Sequence, residues 1–419
     1  MKKKTFIILV LLVVTSAILF AAPGDYDPTT VARYKQAAEP FVGTSVRVLG
    51  MGGAGLGVRG YYDSFLINPA NLAKSGFKFS FPAVTVTAYN PMKILESKMF
   101  EKIEADDPGG AAAEFLKTLD IGYGDVLTTD VSTTITLGSL GLALEAQERL
   151  MSYQEDGDSS SLNLIAQVTA AATVGLGFRL NVFPDFMSID LGVSAKAVYK
   201  AYYKALNAST VTSLADGSSD PETVLLNDTP IIAGYALPVS AGVNVNFPVG
   251  LTLSAVAKNF NGNYTMNTYN SVNDWAEETL GDRLTEDADG TPGSATAEPE
   301  WALETNWRLD AGLTWAPNLG SLIKPVIAVD VVDVMSISGK EGDDLKRAFY
   351  EQTRLGASVR LLSLFDFRVG LNKGYKSIGA GFDLLIFHID AAYFVTEYGP
   401  SIGDKPIDAL SLRFSLFSR

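Results

Sequence analysis

The sequence contains no cysteine and one histidine, His388. The first absence excludes disulfides, thiolate metal sites and a lipid-anchored amino terminus. With only one histidine beside it, metal-dependent and nucleophilic catalysis have almost no material. The chain therefore reads as a non-enzyme with no cofactor and no metal. Charge is sparse as well, at 19% of residues, and 33 basic residues face 47 acidic ones for a net charge of −14. That balance excludes nucleic acid and anionic lipid headgroups as electrostatic partners. After residue 22 no segment approaches the ~18 consecutive apolar residues of a spanning helix, so a helical membrane bundle is excluded too.

What is present is apolar but spread thinly, 47% of residues. Residues 1–22 place Lys2, Lys3 and Lys4 before an apolar core over 6–20, and Ala21-Ala22 before Pro23-Gly24. This is the pattern of a secretory signal cleaved near Ala21 or Ala22, although Leu19 and Phe20 are larger than signal peptidase prefers. An uncleaved anchor is the alternative, and the run is short for one.

From about Gly76 onward the rhythm has period two. Leu162, Leu164, Val168, Val174, Leu176 and Leu180 share one parity, while Asn163, Gln167, Thr169, Thr173 and Arg179 share the other. Such runs occur at 77–88, 131–137, 142–150, 162–182, 189–203, 231–247, 251–260, 303–315, 325–334, 353–362, 367–371, 375–385, 387–396 and 407–417. The gaps between them alternate short and long, as periplasmic turns and outer loops do, except at the tight turn Asn372-Lys373-Gly374. The expected fold is all-β, a transmembrane antiparallel up-and-down β-barrel of about fourteen strands, with twelve or sixteen also open. It belongs in the outer membrane of a diderm bacterium, exported by a cleaved signal and working as a monomer beside membrane lipid. The last run ends Leu410, Leu412, Phe414, Leu416, Phe417. It is similar to the tail read by barrel-assembly machinery, which makes that machinery a partner. Pro82 and Pro238 interrupt runs, and each marks a wall bulge or a simple bend.

The chain divides into the leader 1–22, a segment 23–75 without alternation, and a barrel 76–419. The barrel carries a helical outer loop over 91–119 and a long acidic loop over 261–302. The segment 23–75 is rich in glycine, with no Gly-Lys-Ser/Thr to suggest a nucleotide loop. Its physical reading is a compact plug inside a barrel mouth, where close backbone packing needs glycine.

Residues 45–76, SVRVLGMGGAGLGVRGYYDSFLINPANLAKSG, resemble the amino-terminal hatch of the FadL/TodX family of outer-membrane hydrophobic-substrate channels. Gly50, Gly52, Gly53 and Gly55 match the Gly-rich part, and Asn68, Pro69 and Ala70 match the Asn-Pro-Ala that precedes the first strand. The resemblance implies a fourteen-stranded barrel, a hatch that gates it, and passive uptake of long-chain fatty acids or similar hydrophobic molecules. It also implies a lateral path at a kinked third strand, but 142–150 holds no Gly or Pro in its wall-crossing stretch to force a kink. A related group, which includes PorV-type proteins and spirochaete barrels, shares this opening. It leaves a second reading standing: an accessory interaction barrel or a structural surface protein without transport.

With the apolar parity outward, the inner face carries both signs of charge, among them Glu145, Arg149, Arg179, Lys196, Asp310, Asp330, Asp383, His388 and Asp390. Paired networks are one expectation, because buried charges need partners. A basic patch of Arg354, Arg360, Arg368 and Arg413 that attracts a carboxylate headgroup is the other. In 91–119, Met92, Ile94, Leu95, Met99, Phe100 and Ile103 suggest one amphipathic helix, and 111–119, with Phe115 and Leu116, suggests a second. Met99, Phe100, Phe115 and Leu116 form a candidate capture site for a greasy ligand, or else a loop packed on the rim. The acidic loop lacks the spaced Asp-x-Asp-x-Asp-Gly of a calcium site and reads as solvated.

Overall fold

The structure is a computed structural model that describes residues 41, 43–120, 122–154, 162–183, 186–220, 223–227, 230–284, 301–384, 386–399 and 401–416. The expected leader, residues 23–40 of the expected plug and residues 417–419 lie outside these. Strands β1 (Gly76–Tyr89), β2 (Gly124–Gly138), β3 (Leu140–Tyr153), β4 (Asn163–Phe183) and β5 (Met187–Asn207) run as consecutive hairpins. Then come β6 (Ile231–Ala236), β7 (Val239–Asn246), β8 (Leu251–Phe260), β9 (Tyr264–Tyr269), β10 (Trp301–Leu303) and β11 (Arg308–Trp315). The wall finishes with β12 (Ile323–Val331), β13 (Thr353–Leu361), β14 (Phe365–Asn372), β15 (Tyr375–Leu384), β16 (Phe387–Glu397) and β17 (Pro406–Leu416).

β1 pairs with β17 from Ala83↔Ser415 to Tyr89↔Ala409, which closes the sheet on itself. β6 and β7 both pair with β5, and the next two strands are likewise split, into β8 with β9 and β10 with β11. The seventeen segments therefore make a wall of fourteen antiparallel strands. The expected loop over 261–302 is accordingly corrected. Tyr264–Tyr269 and Trp301–Leu303 are wall, because each continues a strand beyond a break, and Val272–Leu280 is a helix.

Parity decides what each strand shows. Along β17, Leu410, Leu412 and Phe414 are exposed, while Ser411, Arg413 and Ser415 are buried. β4 repeats this, with Val174, Leu176, Phe178 and Leu180 exposed and Thr169 and Thr173 buried. The outer surface is thus an apolar belt and the inner face is polar, as a lipid-embedded barrel requires. Short turns tie one end: Leu362 and Ser363, both at positive φ, lie between β13 and β14, the backbone that a tight hairpin needs.

At the other end the loops carry helices. The single helix expected over 92–103 is two, Pro91–Glu96 and Met99–Glu104. Ser97 parts them: its hydroxyl donates to the Ile94 carbonyl at 2.7 Å and accepts from the Met99 amide at 3.4 Å, a local bond that competes with the helix ladder. The next helix spans Pro108–Leu116, and Asp107 caps it by accepting from the Gly110 amide at 2.8 Å.

Candidate functional site

Residues 41 and 43–75 fill the barrel. They contain two short helices, Val46–Gly50 and Ser64–Ile67, and a 3-10 turn, Pro69–Leu72. Their contacts reach the inner face on all sides. The Thr44 amide donates to Asp130 on β2 at 3.3 Å, and Ser377 on β15 donates to the Gly50 carbonyl at 3.1 Å. Tyr61 donates to Asp366 on β14 at 2.9 Å. Asp330 on β12 accepts from two successive plug amides, Gly55 at 2.6 Å and Leu56 at 2.9 Å. Charge-assisted acceptance of this kind is among the stronger hydrogen bonds available to the fold.

The wall makes room for the plug with glycine. A Cβ at Gly192 would overlap the Pro69 carbonyl, one at Gly242 the Asn68 side chain, and one at Gly370 the Gly52 amide. Gly52 itself sits at φ +65 against the β14 backbone. Asn68 is fully buried. Its Oδ1 accepts from the Ala70 amide at 3.0 Å, its amide donates to the Leu56 carbonyl at 3.2 Å, and the Asn244 amide lies 3.0 Å away. Of the sequence-named plug residues, Gly50 abuts Gly379, Gly53 abuts Arg354, Gly55 abuts Val48, and Pro69 and Ala70 meet β5.

The inner charges are paired. Arg368 donates to Asp390 at 2.5 Å and Asp366 at 3.0 Å, and His388 Nε2 lies 2.6 Å from the same Asp390. Arg360 pairs with Asp383, Arg179 and Arg59 both pair with Asp190, and Arg149 pairs with Asp125 at 2.8 Å. Lys258 meets Asp310 at 2.9 Å, and Lys196 meets Glu145 at 3.7 Å. Arg413 donates to Ser80 at 2.6 Å and stacks on Tyr62, while Arg354 donates to the Glu351 and Thr353 carbonyls. The four arginines named from sequence thus each hold a partner of their own.

The apolar surfaces lie elsewhere. The helices Pro108–Leu116, Ala208–Ala215 and Val272–Leu280 fold against the outward face of the barrel's upper end. There Leu116, Val211 and Val272 join Leu150, Leu164, Ala166, Ala201 and Ile231 in one cluster. Phe115 packs on its edge, Met99 is buried, and Phe100 is exposed. Between the first two helices lies a cavity of about 510 Å³, lined by Ala113, Leu116, Leu119, Leu162, Ala208 and Thr212. At the rim, burial brings the Lys405 ammonium down to about 8, opposed by Asp120 and reinforced by Lys93.

Below the helices, on the outer wall, a groove of about 640 Å³ crosses β2 to β6. Ala170, Ala172 and Ala197 lie along its floor, and Val131, Leu144, Tyr199, Tyr235 and Leu237 stand around it. It ends at a seam. β6 breaks before Pro238, and the two strands beside it break at the same level, between Phe260 and Tyr264 and between Leu303 and Arg308. The break is stitched by side chains: Asn259 donates to Thr305 Oγ1 at 3.0 Å, and the Thr305 amide donates to Asn263 at 3.0 Å. Trp307 and Phe260 stack outside it, with ring centroids 5.3 Å apart. Inside it, Phe41 joins Val198, Tyr202, Ile232, Tyr264 and Met266 in an apolar cluster. At Pro82 the irregularity is smaller, a register shift between Ser80 and Ala83 in the β1–β2 ladder.

Replacing Asn259 with alanine should loosen the seam. The Thr305 carbonyl would lose a donor, at about 1–3 kcal/mol for an unsatisfied buried group, and its hydroxyl would keep only the bond it donates to the Gly262 carbonyl. Faster amide hydrogen exchange at residues 260–264 and 303–308, with the rest of the wall unchanged, is the expected result; uniform protection would show the stitch to be idle.

No family model matches the sequence, and no curated protein matches it. Among solved structures, the fold is similar to the toluene transporter TbuX of Ralstonia pickettii, at 11% identity and a TM-score of 0.46, covering 90% of this chain and 98% of that one. It is also similar to the CymD monoaromatic hydrocarbon channel, at 13% identity and 0.44, covering 90% and 97%. A third is a Pseudomonas aeruginosa FadL homologue, at 12% identity and 0.43, covering 91% and 99%. The chain is a closed fourteen-stranded antiparallel β-barrel. That statement rests on its own ladder, from β1 round to β17.

Three features of the barrel escaped sequence reasoning. The inward glycines of β5, β7 and β14 read as weak strand positions, although their parity marks them as a set. The alanines of the groove read as ordinary lipid-facing residues. Two of the three breaks at the seam contain no proline; the signal that could have found one is Asn261-Gly262-Asn263, which reads as a loop.

Proposed function

We propose that this barrel is an outer-membrane channel for passive uptake of long-chain fatty acids or similar hydrophobic molecules, gated by its amino-terminal plug. It is inserted as a monomer by the barrel-assembly machinery. The observation that carries this reading is at the seam: Ala171, Val198 and Ala236 belong both to the inner Phe41 cluster and to the lining of the outer groove. Apolar surface inside the barrel and apolar surface facing lipid stand back to back across one layer of wall, where three strands are interrupted. A hydrophobic molecule gathered in the cavity between the outer helices would cross the rim, pass the Phe41 side of the plug and leave sideways into the bilayer. Among the described residues the other inner apolar clusters, around Met51 and around Phe65, are smaller.

The absence of cysteine gives a direct test. Asn259→Cys with Thr305→Cys places the only two thiols of the protein across the seam. Oxidation should cut uptake of labelled oleate by cells several-fold, and reduction should restore it. Uptake indifferent to the lock would remove the sideways exit. Filling the outer cavity with Ala113→Trp should raise the oleate concentration needed for half-maximal uptake; no change would mean that the cavity plays no part in capture.

One observation favours a second reading, an interaction barrel. The helix Gly342–Gln352 leaves Leu345, Phe349 and Tyr350 exposed beside an interior that is closed among the described residues. A barrel that carries no lipid through purification and admits no oleate would support it.

A further inference from the structure

The wall groove has one feature that lipid alone does not account for. On β3 the outward parity runs Leu142, Leu144, Ala146, Glu148. Glu148 is half-buried on the lipid side, one place above the floor of the groove. Its ladder neighbours are Thr129 on β2 and Val168 on β4, and the residues above and below it on its own face are Leu150 and Ala146. Among the described residues it has neither a hydrogen-bond nor an ion-pair partner. The inner charges, by contrast, are built into pairs. Counting from the turn at Ser139, with ~3.3 Å per residue and a strand tilt of ~40°, Glu148 stands ~23 Å up a belt of roughly 25 Å, at its outer margin. An unpaired carboxylate at that margin costs less than one at mid-belt, and it is the charged group that the upper end of the groove presents to a ligand.

The surroundings state what could satisfy it. Tyr199, on the far side of the floor, accepts from Trp275 at 2.8 Å, so the upper margin of the groove is polar while the lower part is apolar. A molecule with an apolar body and one polar end would lie with its body over Ala170 and Ala172 and its end toward Glu148. A carboxylate in that place accepts hydrogen bonds and repels anions.

We infer that the groove beneath the outer helices binds an apolar molecule whose single polar group donates a hydrogen bond, a hydroxyl or an ammonium, with Glu148 as the acceptor. The inference rests on the uptake reading and narrows it. A fatty acid fits here only as the neutral acid, whose O–H donates.

The test titrates the full chain in lipid nanodiscs with dodecylamine, dodecanol and dodecanoate, and reads bound ligand by native mass spectrometry. Dodecylamine and dodecanol should bind at least about tenfold more tightly than dodecanoate, as loss of a hydrogen bond to a charged group implies. Glu148→Gln should abolish the preference for the amine and keep binding of the alcohol. Glu148→Lys should reverse the order, so that dodecanoate binds best. Ala170→Trp, which fills the floor from the lipid side, should remove all three while the folded band on a gel persists. Equal binding of the three ligands by the unaltered protein, an order insensitive to Glu148→Gln, or binding untouched by Ala170→Trp would each overturn the inference. The uptake reading fails separately. If amine and alcohol bind as expected but oleate entry is absent or ignores the seam lock, the groove is a binding site on a barrel that does not transport.

Discussion

Arg368→Met should lower the stability of the folded barrel by about 3–5 kcal/mol, the cost of stranding a buried charge partner. The guanidinium is fully buried and bridges Asp390 on β16 and Asp366 on β14. Asp390 also holds His388, and Asp366 accepts from Tyr61 of the plug. Methionine matches the stem but leaves Asp366 without its cation and Asp390 with His388 alone. The temperature at which the compact form is lost on a semi-native gel should fall accordingly. Adding Asp366→Asn and Asp390→Asn to the same chain should recover most of the loss, because the charges would then be absent rather than unpaired. If Arg368→Met keeps the parental midpoint, the network is not holding the inner face together. If the triple variant is no better than the single one, the loss lies in packing rather than in charge.

Gly192→Val should displace the plug. The added side chain would occupy the space of the Pro69 carbonyl, which is backbone and has no rotamer to give. The 3-10 turn must lift, and with it the hydrogen bonds of Asn68 to Ala70, Leu56 and the Asn244 amide. In planar bilayers the unaltered barrel should conduct little, since its interior is filled. The variant should show larger and noisier steps, as a barrel of this strand number does when its lumen is freed. Ala195→Val on the outward face of the same strand is the control and should behave as the parent. Equal conductance of all three would mean that the plug yields without opening a path.

The wall was legible in the sequence because its signal is local. β4 and β17 alternate cleanly, and every expected run has a strand in the closed sheet. Legibility failed where the information is held between strands. Pro238 announces one break, but the neighbouring interruptions are set by ladder register, with Val239 opposite Phe260 and Leu303 opposite Tyr264. Arg354, Arg360, Arg368 and Arg413 share an inward parity, which suggested a patch. Arg360, Arg368 and Arg413 have partners on other strands, Asp383, Asp390 and Ser80, that no spacing reveals. The groove is a property of five strands in register, so no single run of alanine could disclose it. Met99, Phe100, Phe115 and Leu116 were visible as helix faces, but whether those faces packed together or stayed open depended on what the barrel rim presented to them.

The glycine seat also bears on the order of events during biogenesis. Gly192 and Gly242, opposite each other on β5 and β7, and Gly370 on β14 press against the plug from two parts of the wall, so the completed barrel encloses it too closely for it to thread in afterwards. The plug must already be in place when the first strand meets the last. Arg47, fully buried at that point, is a tryptic site in any nascent chain. Protection of the Arg47–Val48 bond would therefore time the joining of β1 to β17, and a barrel that closed empty would betray itself by being cut there.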